Sequence, residues 1–358
     1  MKRILPFSLV VCGSILAYAC SSSDSGTPPT IPTAEGGSSG SSGTSGTSGT
    51  SGTSGTPDDS GTDAPVNPSA NPIEGSGAPV EVTSQSGIFT DGPIWLKDGL
   101  YFSTFGATST FLKLTPPNSP TSVRPASAGT TLQGSSYDPK AAGFVSCEAN
   151  LEGGGGAIIR TPAAGGAGTP VTLNYVDAGA SVFNSPNDIV VRTDGTMFVT
   201  DPGYQDPNTV NNHIWRIRPN GDVFETVTEG RPNGVALSPD QKTLYVSFTS
   251  PAAGLPVINK YTVAVADGAL GPAVKFADVG PNDSLADGVA VDTAGNVYVA
   301  VKNGVDVFKA DGSAKWGHIT TTKLVNNVGF GGVDGKTLYM TSTTGLLQVT
   351  LKVAGLTQ

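Results

Sequence analysis

The chain has 358 residues, a formal net charge of −9 and a sequence pI of about 4.7, and 37% of its residues are hydrophobic. A chain of this length holds one large all-β domain or two smaller domains. The acidic balance disfavours a nucleic-acid partner, because phosphate binding needs clustered Lys and Arg. Two of the three cysteines, Cys12 and Cys20, lie in an N-terminal targeting segment. Cys147 alone cannot build a disulfide framework or a Cys/His zinc site.

Residues 1–20 have the pattern of an export signal. Two basic residues precede an apolar run over residues 4–19, which is too short to span a membrane comfortably as a mature helix. The run ends at Cys20, and serines follow. This end resembles a bacterial lipoprotein signal, in which the cysteine becomes the lipidated first residue, although Ala17 stands where Leu is usual. Ordinary cleavage near Ala19 is the alternative.

Residues 21–79 form a low-complexity segment in which Ser-Gly-Thr is repeated over residues 42–56. The segment lacks the apolar surface that would offset chain entropy, so it is predicted to be a disordered linker. A Gly/Ser coil of about 60 residues has a root-mean-square reach of roughly 40–45 Å. We therefore expect an exported domain held in the bacterial cell envelope by a lipid on Cys20. Ser21, directly after Cys20, is compatible by analogy with sorting of a lipoprotein to the outer membrane.

After residue 80 a strand–turn–strand unit recurs six times. Its clearest copy spans residues 185–201, with strands over 189–191 and 197–200 and a turn over 193–196. No window shows sustained helical periodicity, so this region is predicted to be all-β. Each copy begins with a polar residue and carries an aromatic ten to twelve residues later. The polar starts are Asp91, Gln133, Asn187, Asn233, Asp287 and Asn327, and the aromatics are Tyr101, Phe144, Phe198, Tyr245, Tyr298 and Tyr339.

Six copies at intervals of 40 to 54 residues, each long enough for four strands, predict a six-bladed β-propeller over residues 80–358. The aromatics are expected to fill the packed layers between blades. Third strands are predicted over residues 111–114, 157–160, 213–217, 257–261, 304–308 and 346–349. Residues 80–83 are predicted to add the outermost strand to the last blade and so close the ring. An array of unrelated sandwiches is the competing fold.

The six polar starts are expected to form one ring, because the first strand of each blade lines the channel of a propeller. All six offer a side-chain oxygen, two of them are carboxylates, and no Lys, Arg or His takes part. Any one of them could be an ordinary turn residue, since Asp and Asn before Gly bond their own backbone. Six oxygen-bearing residues at the same position of six repeats favour a binding site for a hard cation. Ca²⁺ is expected first, with Mg²⁺, Mn²⁺ or Zn²⁺ as alternatives.

Four motifs carry a resemblance to a known family. They are Phe89-Thr-Asp-Gly-Pro-Ile-Trp-Leu, Ser185-Pro-Asn-Asp-Ile-Val-Val, Arg231-Pro-Asn-Gly-Val-Ala-Leu-Ser-Pro-Asp and Ala286-Asp-Gly-Val-Ala-Val-Asp. In this order they resemble the gluconolactonase/regucalcin-like (senescence marker protein) family, and the resemblance covers nearly all of residues 81–358. It implies a six-bladed propeller with a divalent metal in its channel and, for many members, hydrolysis of sugar lactones.

The resemblance also implies roles for individual residues. Asn233 and Asp287 match two metal ligands of the family, and Asp91 stands where the third ligand is usually Glu. Asn187 matches the Asn that contacts substrate and metal-bound water. Gln133 and Asn327 complete the predicted ring and are assigned to substrate binding.

Two departures from the family concern the site. Asp91 is one methylene shorter than Glu, so its carboxylate must reach the metal through a shifted strand or a bridging water. The second blade, from Cys147 to Gly156, lacks a His that many bacterial gluconolactonases carry and has a Gly-rich loop instead. Both departures bear on whether catalysis is retained.

The predicted function is metal-dependent hydrolysis of a sugar lactone, in which the metal polarises the carbonyl and a carboxylate takes a proton from water. Asp287 is the first choice for that base. Asp201 is the second choice, and the alternative for it is a turn residue in Asp-Pro-Gly. The alternatives are a non-catalytic tethered propeller that binds a sugar or a protein, and a strictosidine-synthase-like or arylesterase relative. A monomer is expected, with contact to a membrane only through the lipid.

Nucleophilic catalysis is a weak alternative, because the chain has no Gly-x-Ser-x-Gly elbow. The only histidines are His213, in a predicted outer strand, and His318, in a predicted loop. Both are expected to have structural roles. Cys147 is expected to be a small buried strand residue without reactivity.

Overall fold

The computed structural model describes eleven stretches of the chain. They are residues 70–83, 89–97, 99–105, 109–116, 118–151, 153–176, 183–205, 212–228, 230–251, 256–280 and 285–356. The predicted signal, its Cys20 and residues 21–69 of the predicted linker lie outside them. Across the described stretches the regular structure is entirely β. None of these stretches contains a helix long and apolar enough to cross a membrane.

The strands form six sheets that follow one another along the chain, one sheet per blade. The first strand, β1 (Val80–Thr83), precedes the first blade. Blade 1 contains β2 (Phe89–Leu96), β3 (Gly99–Phe105), β4 (Thr110–Leu114) and β5 (Thr121–Pro125). Blade 2 contains β6 (Thr130–Asp138), β7 (Gly143–Asn150), β8 (Gly156–Pro162) and β9 (Thr169–Pro170). Blade 3 contains β10 (Asn174–Tyr175), β11 (Ile189–Val191), β12 (Met197–Asp201), β13 (Asn212–Ile217) and β14 (Asp222–Thr228).

The second half of the chain repeats the arrangement. Blade 4 contains β15 (Gly230–Leu237), β16 (Thr243–Pro251), β17 (Val257–Thr262) and β18 (Val274–Asp278). Blade 5 contains β19 (Val289–Val291), β20 (Val297–Val301), β21 (Gly304–Phe308) and β22 (Lys315–Thr320). Blade 6 contains β23 (Val325–Gly331), β24 (Thr337–Ser342) and β25 (Gly345–Thr350). This is the predicted six-bladed β-propeller, and the predicted third strands agree with β4, β8, β13, β17, β21 and β25 to within two residues.

The ring of blades is closed by the N-terminal strand. β1 pairs antiparallel with β25, which places Val80 opposite Gln348 and Glu81 opposite Leu347. The pairing covers the outer edge of blade 6 with a strand from the other end of the propeller. The prediction that residues 80–83 close the ring is confirmed, and the closure removes an edge on which another chain could pair.

The hydrophobic core is divided into six clusters, and each cluster joins two neighbouring blades. Between blades 1 and 2, for example, the rings of Tyr101 and Phe144 lie 4.5 Å apart. Between blades 6 and 1, Tyr339 stacks on Trp95 at 5.7 Å. All six predicted aromatics are buried. They fill the wedges between blades as expected, because a large ring buries more apolar area there than any aliphatic side chain.

The last residues of the predicted linker dock on the propeller. Ile73 packs against the cluster between blades 5 and 6. The backbone N–H of Lys352 donates to the carbonyl of Pro72 at 3.1 Å, and its ammonium pairs with Glu74 at 2.9 Å. The folded unit therefore includes a short turn ahead of β1.

Candidate functional site

The six predicted ring residues all lie at the start of an inner strand, where the blades converge on the channel. We expected each of them just before its strand. In blades 3 and 5 this is so, since β11 and β19 begin two residues after Asn187 and Asp287. In blades 1, 2, 4 and 6 the residue lies inside the strand instead, beside a shift of the strand register. Such a bulge turns side chains aside from the regular pleat, which permits them to point into a channel.

Hydroxyl groups connect the ring from one blade to the next. Ser103 of β3 donates to the carbonyl of Gln133 at 2.7 Å. Thr200 of β12 donates to the carbonyl of Asn233 at 2.5 Å, and Ser247 of β16 donates to that of Asp287 at 2.6 Å. Each bond fixes the backbone of a ring residue to the preceding blade. The positions of the ring side chains are thereby set by the assembly of blades.

Glycine follows most ring residues because the next blade approaches there. A Cβ atom on Gly134 would lie 2.1 Å from the Oδ1 atom of Asp188. A Cβ atom on Gly288 would lie 2.0 Å from the Oδ1 atom of Asn327. Only a residue without a side chain fits at these two places, so the glycines after the ring residues reflect close packing of neighbouring inner strands.

Asp91 is linked across the closure to Asn327, whose amide donates to its Oδ1 atom at 3.1 Å. The same oxygen accepts the N–H of Gly92 at 2.7 Å. Burial raises the pKa of the Asp91 carboxyl to about 6, although these two hydrogen bonds oppose the shift. Blade 1 thus supplies the carboxylate of Asp91, and blade 6 supplies the amide of Asn327 that orients it.

Asp287 has the most perturbed environment of the ring. Burial, followed by the negative charges of Asp91 and Asp188, raises the pKa of its carboxyl well above the usual range. The amide of Asn233 lies close enough to Asp287 to oppose that shift. Three aspartates therefore share one electrostatic neighbourhood, and none of them forms an ion pair with a described Lys, Arg or His.

Asn233 is held by two hydroxyl-bearing residues that the sequence did not single out. Its amide nitrogen donates to the hydroxyl of Tyr204 at 3.1 Å and to that of Thr249 at 2.9 Å. The amide nitrogen thus contacts Tyr204, Thr249 and Asp287, and no described group donates to the carbonyl oxygen Oδ1, which is therefore the atom available for a ligand. Tyr204 follows Asp201 in the loop after β12, and Thr249 lies on β16. No repeat spacing marks either position.

In blades 2 and 3 of the ring, Gln133 and Asn187 form an amide pair. The Nδ2 atom of Asn187 lies 3.5 Å from the Oε1 atom of Gln133. Gln133 is 3% exposed, and its Nε2 atom has no hydrogen-bond partner among the described residues. A buried donor left unpaired costs free energy, so it is available for a bound oxygen atom.

Asp188, directly after Asn187, supports the ring from behind. Its two carboxylate oxygens accept the backbone N–H groups of Ile189, at 2.9 Å, and of Val235 in the next blade, at 3.1 Å. Burial and then the charge of Asp91 raise the pKa of Asp188 to about 7. Below the ring the six inner strands enclose a cavity of about 330 Å³, with Asp188 and Asn327 at its inner end and Leu356 also in its wall.

Asp201, the second candidate for a catalytic base, lies apart from this group of carboxylates. Its oxygens accept three N–H groups, from the backbones of Asn184 at 2.8 Å and Ser185 at 2.6 Å and from the indole of Trp215 at 2.9 Å. Burial raises the pKa of the Asp201 carboxyl, and the three hydrogen bonds oppose that rise. This geometry favours a role in holding the loop before β11 over a role in proton transfer.

The histidines and Cys147 lie in structural environments. His213 is buried and contacts Glu225 at 2.7 Å. His318 was predicted in a loop, but it lies in β22, where its ring contacts the buried Asp306 at 2.9 Å. Cys147 is fully buried, and burial raises the pKa of its thiol. A thiol that stays protonated is a poor nucleophile, which agrees with the prediction that Cys147 is unreactive.

The donor set of the ring matches a hard divalent cation. Among the described residues no group of three or more His, Cys, Asp or Glu side chains is arranged to hold a metal by itself. Carboxylate and amide oxygens would have to act together. Asp91 and Asp287 supply the negative charge, Asn233 presents an amide oxygen, and the buried carboxylates lack any other described counter-ion. Ca²⁺ and Mg²⁺ prefer such oxygen ligands.

A closed six-bladed propeller with a ring of acid and amide side chains at its channel defines the class of this protein. The sequence matches the family described as SMP-30/Gluconolactonase/LRE-like region over residues 89–344. The chain belongs to this family, as the motifs had predicted.

Two curated relatives are lactonases by name. A gluconolactonase of Zymomonas mobilis is 25% identical over 323 residues, which cover 81% of this chain and 86% of the relative. A pentonolactonase of Haloferax volcanii is 28% identical over 172 residues, or 46% of this chain and 57% of the relative.

Solved structures share the fold. A gluconolactonase of Xanthomonas campestris superposes with a TM-score of 0.66 at 27% identity, covering 78% of this chain and 91% of the other. A calcium-binding protein, regucalcin, of Agrobacterium tumefaciens gives a TM-score of 0.63 at 16% identity, covering 79% and 96%. At that identity the second likeness concerns the fold alone.

Proposed function

We propose that this protein hydrolyses sugar lactones at the ring of the propeller channel. The observation that carries the proposal is the shared site of Asp91, Asp188 and Asp287, in which buried or half-buried carboxylates face amides without a described cationic partner. Such a site can bind a cation and accept a proton in a space shielded from water. The gluconolactonase and pentonolactonase relatives supply the substrate class.

Asp91, Asn233 and Asp287 are the proposed ligands of a divalent cation, with Ca²⁺ first and Mg²⁺, Mn²⁺ or Zn²⁺ as alternatives. When bound, such a cation supplies Lewis-acid polarisation of the lactone carbonyl and stabilises the developing oxyanion. Asn327 orients Asp91 through its amide, and Tyr204 and Thr249 orient Asn233.

Asp287 is the proposed general base. Its carboxylate belongs to the proposed cation site, where the lactone carbonyl and the attacking water would meet, and a general base must lie within hydrogen-bond reach of that water. It would take a proton from the attacking water. Gln133 and Asn187 would position the sugar, because the free Nε2 hydrogens of Gln133 can donate to a substrate oxygen.

The test offers the protein a panel that contains gluconolactone, a pentonolactone and an aliphatic lactone. Hydrolysis is measured as proton release at constant pH. Activity on the sugar lactones that is lost with chelator, restored by Ca²⁺ and abolished in Asp287→Asn supports the proposal. A matched control is Asp240→Asn, at an exposed turn. Bound metal without turnover of any lactone would refute hydrolysis and leave the alternative of a tethered sugar- or protein-binding module.

We also propose that the protein is exported and anchored to the bacterial cell envelope, in the outer membrane, through a lipid on Cys20. The support is the sequence before the linker, where the apolar run ends in Cys20 followed by Ser21. Labelled palmitate should be incorporated into the wild-type chain and not into Cys20→Ser. Equal labelling of both chains, or none in either, would contradict the anchor.

A further inference from the structure

Arg231 lies beside the ring and has no role in the function proposed above. It stands on β15 two residues before Asn233, and it is half-buried. Its guanidinium carbon lies 5.4 Å from the centre of the Tyr204 ring. The hydroxyl of the same tyrosine accepts the amide of Asn233. Tyr204 thus has the proposed cation ligand at its phenol end and a guanidinium on its face.

In the described part of the chain, the guanidinium of Arg231 lies over the Tyr204 ring and has no carboxylate partner. No described carboxylate forms an ion pair with it. The negative charge of Asp287 raises the pKa of the Tyr204 phenol, and the positive charge of Arg231 lowers it. A half-buried arginine normally pairs with a carboxylate, because its desolvation is otherwise uncompensated.

We propose that Arg231, held on the face of Tyr204, binds a free carboxylate of the substrate, and that the preferred substrates are lactones of sugar diacids. This inference rests on the proposed lactonase function and names its substrate class. The planar guanidinium matches a carboxylate with two parallel N–H donors, and stacking on an aromatic ring keeps that edge free.

The position of Arg231 indicates which end of the substrate it binds. The scissile carbonyl belongs at Asp91, Asn233 and Asp287, where the proposed cation and base lie. Arg231 is separated from Asn233 by the ring of Tyr204. Arg231 therefore meets the far end of the substrate, where a diacid carries its second carboxylate and gluconolactone carries an alcohol.

The experiment compares kcat/KM for the lactone of glucaric acid and for gluconolactone, in the wild type and in Arg231→Gln. Loss of a charge-assisted carboxylate contact should lower kcat/KM for the glucaric acid lactone by about tenfold to a hundredfold. The neutral lactone should change by less than about threefold. Arg218→Gln, on the hairpin between β13 and β14, removes the same charge elsewhere and should leave both rates unchanged. Tyr204→Leu should resemble Arg231→Gln on the acidic lactone and, in addition, weaken activity on both through Asn233.

Equal loss on both lactones in Arg231→Gln would assign the residue to folding and overturn the proposal, as would no loss on either. A wild-type preference for a phosphorylated gluconolactone over the glucaric acid lactone would overturn the choice of a carboxylate.

A binding measurement separates this inference from the proposed function. Glucarate cannot be hydrolysed, and its affinity for the wild-type chain with Ca²⁺ is measured by calorimetry against that of gluconate. Tighter binding of glucarate that is lost in Arg231→Gln supports the carboxylate subsite, even if no lactone is turned over. Equal affinities in the wild type would overturn the subsite, even if gluconolactone is hydrolysed.

Discussion

Asp201 in blade 3 is buried and Asp287 in blade 5 is half-buried. Burial raises the carboxyl pKa of both, yet their surroundings differ. Asp201 accepts three N–H groups, which satisfy its negative charge locally. Asp287 faces two other carboxylates and has its pKa raised well above the usual range. Burial is common to both, so it does not distinguish a structural carboxylate from a reactive one. The two kinds of carboxylate are distinguished by the hydrogen-bond donors and the like charges around them.

The largest expected effect is on catalysis. Asp287→Asn should lower kcat/KM for gluconolactone by about a thousandfold, because the amide cannot accept a proton. Asp201→Asn should retain most of the activity per folded molecule, since its carboxylate is occupied by the loop before β11. Rates are referred to the concentration of folded protein from circular dichroism. Equal losses in the two variants would remove the distinction between the two aspartates.

The next effect concerns stability, and here Asp201→Asn should be affected more than Asp287→Asn. Asp201→Asn should reduce the free energy of unfolding by about 3 kcal/mol, because its NH₂ group would face N–H donors that now bond to an oxygen. Asp287→Asn should leave stability unchanged or higher in chelator, since it removes a buried charge from a repulsive group. Denaturant unfolding in chelator measures both, with Asp334→Asn in an exposed turn as the control. A stable Asp201→Asn variant would show that its hydrogen bonds are dispensable.

Cation binding should separate the two sites again. Ca²⁺ at a hundred times its Kd should stabilise the wild type by about 2.7 kcal/mol, and chelator should reverse this. Asp201→Asn should show the same increment and Asp287→Asn none. Thermal unfolding with and without Ca²⁺ provides the measurement. An undiminished increment in Asp287→Asn would exclude this carboxylate from the cation site.

The smallest expected effect tests the bond between blades behind Asp287. Ser247→Ala removes the hydroxyl that donates to the carbonyl of Asp287 and accepts the N–H of Gly234. It should lower the free energy of unfolding by about 1 kcal/mol and reduce activity modestly. Ser122→Ala, at an exposed position of β5, should change neither. Loss of stability without any change in activity would show that this bond does not set the position of Asp287.

Repetition made most of the fold predictable. The polar start, the strand pair and the aromatic recur with a local spacing, so the number of blades, their third strands and the ring could be inferred without coordinates. The closing strand β1 was also predictable, because a sheet that lacks its outer strand leaves an open edge. The outer strands β5, β9, β14, β18 and β22 were not located, because they lie outside the recurring unit of polar start, strand pair and aromatic.

The sequence by itself determined which six side chains would meet at the channel, because their place in each repeat is a local property. Only the tertiary structure decided what each one does there. The hydroxyls that hold Asn233, the three N–H groups on Asp201 and the guanidinium of Arg231 on Tyr204 come from different strands and loops. Charge and hydrogen bonding depend on such contacts between segments, and these contacts follow no fixed spacing along the chain.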